Sequence, residues 1–181
     1  MTQATPAVAR SGAPLDILVL GLSITSSWGN GHATTYRSLV KALDRRGHRV
    51  TFLECDKPWY ADNRDLAAPP WCRLGLYRDL DELRRDWTGA VAAADLVVVG
   101  SYVPDGVRTG EWVVDTARGL TAFYDIDTPV TLAKLARGDF EYLHPDLVPA
   151  YDLYLSFTGG PTLGRIEREL GSPRAPALYC S

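Results

Sequence analysis

Residues 26–32, Ser-Ser-Trp-Gly-Asn-Gly-His, set two glycines, hydroxyl side chains and an imidazole between an apolar run and a helical pattern. Glycines there let the backbone turn onto a helix, whose free N–H groups and dipole favour an anion or a polar hydroxylated ligand. His32 would stand in the first turn and face the crevice at the carboxyl ends of the strands, where doubly wound sheets bind ligands. Its ring suits proton acceptance near neutral pH, or it only hydrogen-bonds a hydroxyl. Two phosphate-binding patterns fail. Gly29 and Gly31 have the first spacing of a dinucleotide fingerprint, but Thr34 stands at the third glycine position and the strand ends near Gly21. No Gly-Lys-Ser/Thr follows, so the loop is not a P-loop either. The plainer alternative is a turn permitted by Gly29 and Gly31, with Asn30 left-handed and His32 solvated.

Other positions carry chemistry by type and place. Asp125 and Asp127, in Tyr-Asp-Ile-Asp-Thr-Pro, follow an apolar run and precede a proline-started helical pattern. A D-x-D pair can hold a divalent ion through hard oxygen ligands, or it can hydrogen-bond a ligand and stabilise the helix start. Gly159 and Gly160, in Phe-Thr-Gly-Gly-Pro-Thr, either admit a ligand or partner closely or make a tight turn. In the long connection 56–77, Trp59, Tyr60 and Trp71 either stack on a ligand ring or anchor packing, with Arg64 and Asp65 placed to fix hydroxyls. Glu54 and Asp56 end the second strand, where dehydrogenases carry a ribose-binding acid, but the fingerprint that would support that role is missing. His48 and His144 show no partner spacing and are expected to be structural.

The elements that must position these residues follow from periodicity. Six apolar runs, Leu-Asp-Ile-Leu-Val-Leu-Gly, His-Arg-Val-Thr-Phe-Leu-Glu-Cys, Ala-Asp-Leu-Val-Val-Val-Gly-Ser-Tyr, Leu-Thr-Ala-Phe-Tyr-Asp, Tyr-Asp-Leu-Tyr-Leu-Ser-Phe and Pro-Ala-Leu-Tyr-Cys, predict strands, most of them covered on both faces. Helices are predicted over 32–46, where Tyr36, Leu39, Val40 and Leu43 share a face, and over 78–94, where Leu80, Leu83, Trp87 and Val91 do. Shorter ones are predicted over 111–118, 129–137 and 161–170, with Thr128 and Gly160 as N-caps ahead of Pro129 and Pro161. The alternation predicts an α/β fold: a Rossmann-like, doubly wound, mostly parallel six-stranded sheet with helices on both faces.

Length and composition bound the function. The 181 residues suit one such domain, over 14–181, after a disordered leader at 1–13. A net charge of −3 leaves no basic stripe for nucleic acid. No apolar run is long enough for a membrane span, and the start has no signal-peptide pattern. Cys55, Cys72 and Cys180 are odd in number and widely spaced, which predicts free thiols and a cytoplasmic protein. The last apolar run has no closing helix after it, which suggests half of a larger fold.

The stretches 26–54, 58–66, 123–135 and 156–181, in that order, resemble the amino-terminal half of the CgeB-like spore-maturation glycosyltransferases. The resemblance implies one of the two Rossmann domains of a GT-B glycosyltransferase, the one that shapes the acceptor site. A C-terminal domain would hold the nucleotide-sugar donor, with no metal or other cofactor, so that Asp125 and Asp127 would hydrogen-bond the acceptor or cap the helix, and the isolated half would be nearly inactive. On this resemblance Ser27, Trp28, Gly29, Asn30, Gly31, Asp125, Asp127, Thr128, Gly159 and Gly160 face an interdomain cleft. His32 would be the catalytic base of an inverting enzyme, or only a sugar contact in a retaining one. The alternatives are a non-catalytic carbohydrate- or nucleotide-binding module and an NAD(P)-dependent oxidoreductase domain.

Overall fold

Runs rich in Val, Ile, Leu and Phe, interrupted every 20 residues or so by amphipathic segments, form strands buried on both faces and joined by crossover helices. In the computed structural model, which describes residues 12–179, the strands are β1 (Asp16–Gly21), β2 (Arg49–Cys55), β3 (Arg73–Tyr77), β4 (Leu96–Gly100), β5 (Leu120–Asp125) and β6 (Leu153–Ser156). They form one sheet in the order β3-β2-β1-β4-β5-β6, and every pairing is parallel. The fold is the Rossmann-like α/β arrangement expected. Most of the leader segment, and Cys180, lie outside the described residues.

Alternation along each strand divides the core in two. Leu18, Leu20, Leu53, Val97, Val99 and Phe123 pack on one face, under α3 (Leu80–Ala93), α4 (Gly106–Thr116) and α6 (Pro161–Leu170). Ile17, Val19, Val50, Phe52, Val98 and Tyr124 pack on the other, where α1 (His32–Arg45) contributes Tyr36 and Val40. Each fully buried aliphatic or aromatic side chain of this kind stabilises the fold by about 1.5–3 kcal/mol. The chain runs from β1 outward to β2 and β3, then crosses back to β4. The loops after β1 and β4 therefore diverge from adjacent strand ends and open a crevice between them.

Four elements differ from expectation. The sixth strand is β3, inside the connection expected to be a loop, whereas Pro176–Tyr179 makes only a single bridge, Ala177 to Ser156. A short helix, α2 (Pro58–Ala61), also lies in that connection. Helix α4 starts at Gly106 rather than at residue 111. Its Gly110 meets the Tyr151 hydroxyl where a Cβ would stand at 2.4 Å, so packing of the helix against Tyr151 favours glycine over a better helix former. Helix α5 (Thr128–Ala136) has Asp127 at its N-cap, so Thr128 is the first helical residue instead of the cap. Gly160 does cap α6, at φ 68° and ψ −145°, a conformation open essentially to glycine alone.

Candidate functional site

The loop after β1 is built around Glu54. This residue is fully buried at the end of β2. Its Oε2 accepts from the Ile24 and Thr25 backbone N–H groups at 2.7 and 3.0 Å, and its Oε1 from the Thr25 and Ser23 hydroxyls at 2.6 and 3.2 Å. All four donors belong to the chain itself, so Glu54 is a hub for the loop rather than a ribose-binding acid.

A second tie comes from the connection after β2. Arg37 and Asp65 pair at 2.5 Å, and Asp65 also accepts from the Ser27 hydroxyl at 2.6 Å. These donors hold the Asp65 carboxyl far below the usual carboxylate range, with the Arg37 hydrogen bonds as the main cause. Arg64 pairs with Asp56 and donates to the Thr25 hydroxyl at 3.2 Å. Arg64 and Asp65, expected to fix ligand hydroxyls, instead lock the two loops together.

Within the locked loop, Asn30 is not left-handed. Its Oδ1 accepts from the Ala33 N–H at 3.1 Å and its Nδ2 donates to the Ser26 and Trp28 carbonyls at 3.2 and 3.1 Å, so it closes the turn and caps α1. Ser27, Trp28, Gly29 and Gly31 are exposed around it. Trp28 is 55 % exposed and Trp59, on the neighbouring loop, 50 %. Tyr60 is buried, and Trp71 packs on the α1 face of the sheet beneath Lys41.

His32 is half-buried at the mouth of the crevice. Its ring lies edge-to-face with Tyr102 at 5.3 Å between centroids. Of its two ring nitrogens, only Nδ1 is sealed from solvent without a partner. Burial pushes the His32 pKa below its ordinary value, and the Asp127 carboxylate opposes that shift. The imidazole is therefore neutral at pH 7. Tyr102 comes from the loop after β4 and holds φ at +64°, a costly conformation for a bulky side chain and one that gathers at functional sites. Its hydroxyl reaches Asp127 Oδ2 at 3.4 Å. His32, Tyr102 and Asp127 thus meet at the β1/β4 crevice, from three separate strand ends.

The two acids of the D-x-D pair part company. Asp127 is half-buried with no cationic partner among the described residues. Asp125 is fully buried, and its carboxyl accepts from the Tyr154 hydroxyl at 2.5 Å, the Thr131 hydroxyl at 2.7 Å and the Asp127 N–H at 3.3 Å. Burial raises its pKa to about 6 against the pull of those hydrogen bonds. Thr128 is also fully buried, bonded to the Asp125 carbonyl and to Ser156 Oγ. Asp125 and Thr128 therefore support the site from beneath and do not face a ligand. Among the described residues no three His, Cys, Asp or Glu side chains gather as metal ligands would.

Gly159 and Gly160 sit at the same carboxyl edge, after β6. At Gly159 the Tyr179 hydroxyl occupies the space a Cβ would need, so this glycine admits the chain's own segment. Tyr102 was not singled out by spacing; only its place directly after the β4 run marks it. No family model matches the chain, and comparison with characterised proteins finds no match.

Proposed function

We propose that this domain binds the hydroxylated acceptor of a glycosyl transfer in the β1/β4 crevice, with His32 at the acceptor hydroxyl. The supporting observation is a neutral, half-buried imidazole beside an unpaired carboxylate at the strand-order reversal. A second domain would supply the nucleotide-sugar donor. In an inverting transfer the acceptor oxygen bonds the anomeric carbon, the bond from that carbon to the diphosphate breaks, and the acceptor proton passes to the base. We place the reaction in the cytoplasm, away from nucleic acid, on the strength of the free Cys55 and Cys72 thiols and the acidic balance of the chain. No helix among the described residues is long and apolar enough to cross a membrane.

A second reading, in which His32 only hydrogen-bonds the sugar, is favoured by the sealed Nδ1. Protonating the ring would leave a buried N–H with no acceptor, which is costly. Steady-state kinetics of His32→Ala and His32→Gln in the two-domain protein separate these roles. A base gives a kcat lowered about 10²–10⁴-fold by both changes. A contact gives a KM effect with Ala and recovery with Gln. Normal turnover by His32→Ala removes the residue from the reaction.

A further inference from the structure

Among the described residues no cation pairs with Asp127 or acts on His32, although Lys57, on the loop after β2 beside Cys55, has no carboxylate partner there. Arg37 and Arg64, on the two elements that enclose the crevice, are held by Asp65 and Asp56. Lys134, whose field reaches Tyr102, is bonded to Asp139 and Glu141 at 2.9 and 2.6 Å. The charge that acts on His32 is the negative one of Asp127. A phosphate entering here would meet an unpaired carboxylate without compensation, which disfavours it strongly in a half-buried site.

What remains is a complementary pair. Asp127 accepts hydrogen bonds only. With Nδ1 sealed and unpartnered, the stable neutral tautomer of His32 carries its proton on Nε2, so the imidazole presents a donor. Tyr102 lies between them, its ring against His32 and its hydroxyl toward Asp127. Trp28 offers an exposed aromatic face on the adjoining loop.

We infer that the crevice selects two adjacent hydroxyls of an uncharged sugar ring and rejects phosphate: one hydroxyl donates to Asp127, and its neighbour accepts from His32 Nε2–H. This rests on the acceptor-binding reading above, in the form in which His32 only hydrogen-bonds the sugar, and narrows it to a neutral diol. Tyr102 positions both groups, and its left-handed backbone brings the ring against His32 and the hydroxyl to Asp127.

The test uses the 181-residue chain labelled with ¹⁵N, following the His32 ring nitrogens by NMR. The probes are a panel of methyl glycosides, inorganic phosphate and uridine monophosphate. At least one glycoside should shift the His32 signals saturably, with Nε2 staying protonated, while phosphate at equal concentration leaves them in place. Asp127→Asn keeps a residue type that caps helices well and should weaken the glycoside about tenfold or more. His32→Gln, which keeps a donor, should stay within about threefold, and His32→Ala should lose about tenfold. Saturable binding of phosphate or uridine monophosphate without any glycoside would overturn the inference and the acceptor reading together, and point to a phosphate-bearing ligand at this loop. Glycoside binding indifferent to Asp127→Asn would overturn the pairing, and no binding of any probe would overturn both the inference and the acceptor reading.

Discussion

Glu54 offers the sharpest test of how the site loop is held. Replacing it by Ala leaves the Ile24 and Thr25 N–H groups without their acceptor in a fully buried position. An orphaned buried donor costs about 1–3 kcal/mol, so two should cost about 4 kcal/mol before any cavity is counted. That is a large share of the roughly 5–15 kcal/mol by which such domains are stable. Glu54→Gln keeps one oxygen for the two N–H groups and turns its amide toward the Ser23 and Thr25 hydroxyls, which can rotate to accept. Its loss should be about 1–2 kcal/mol. In urea, with a slope of about 2 kcal/mol/M, the midpoint should fall by about 2 M for Ala and about 0.5–1 M for Gln. A loss below about 1 kcal/mol for Ala, or equal losses for Ala and Gln, would refute the hub. A ribose-binding acid would instead leave stability unchanged and weaken a nucleotide.

Three further outcomes follow from the same geometry. Asp125 has its carboxyl raised from an ordinary 3.8 to about 6 in the fold, so the folded state holds its proton more tightly. The stability this group adds is fully present below about pH 3.8 and is lost as pH rises through about 6. Relative to Asp125→Asn, the wild-type protein should gain about 2.4 kcal/mol between pH 7 and pH 4, read from paired urea midpoints, and a flat difference would contradict the burial argument. Asn30→Ala removes the cap on α1 and should lower stability by about 1 kcal/mol in the same assay, with no loss counting against the capping role. Gly160→Ala forces a Cβ into φ 68° and ψ −145° and should cost about 1–3 kcal/mol, while an unchanged melting temperature would mean that the turn adapts.

The sheet was legible where strands are covered on both faces, because β1, β2, β4, β5 and β6 read as nearly continuous apolar runs. The edge strand β3 was not: Arg73-Leu-Gly-Leu-Tyr is short, leaves Leu76 39 % exposed and follows a Pro-Pro-Trp-Cys stretch that reads as loop. Pro176–Tyr179 has strand-like composition but meets only one partner position. The carboxyl-edge placement of residues 28–32, 125–128 and 157–160 followed from parallel topology alone. Which acid of the D-x-D pair faces inward did not, since it depends on Tyr154 and Thr131 reaching Asp125 from 29 and 6 residues away. The roles of Glu54, Arg64 and Asp65 were hidden for the same reason: the partners that tie them to the loop after β1 lie 28 to 39 positions away, beyond any local pattern, although Arg64 also pairs with Asp56 eight positions before it.

The lock between the two loops has a consequence for transplanting specificity. Besides the Arg37–Asp65 and Arg64–Thr25 contacts, the Thr25 carbonyl accepts from the Asp65 and Leu66 N–H groups at 3.2 and 3.0 Å, and Ser26 Oγ donates to the Asn63 carbonyl at 2.8 Å. Residues 22–37 and 54–66 are therefore one cassette written in two places. Grafting the first segment alone onto a related sheet would import Arg37 without its carboxylate and Ser23 and Thr25 without Glu54, and the graft would fail by misfolding of the loop before any ligand was offered to it. Moved together, the two segments carry their own scaffold, and a recipient needs to supply only the strand ends beneath them.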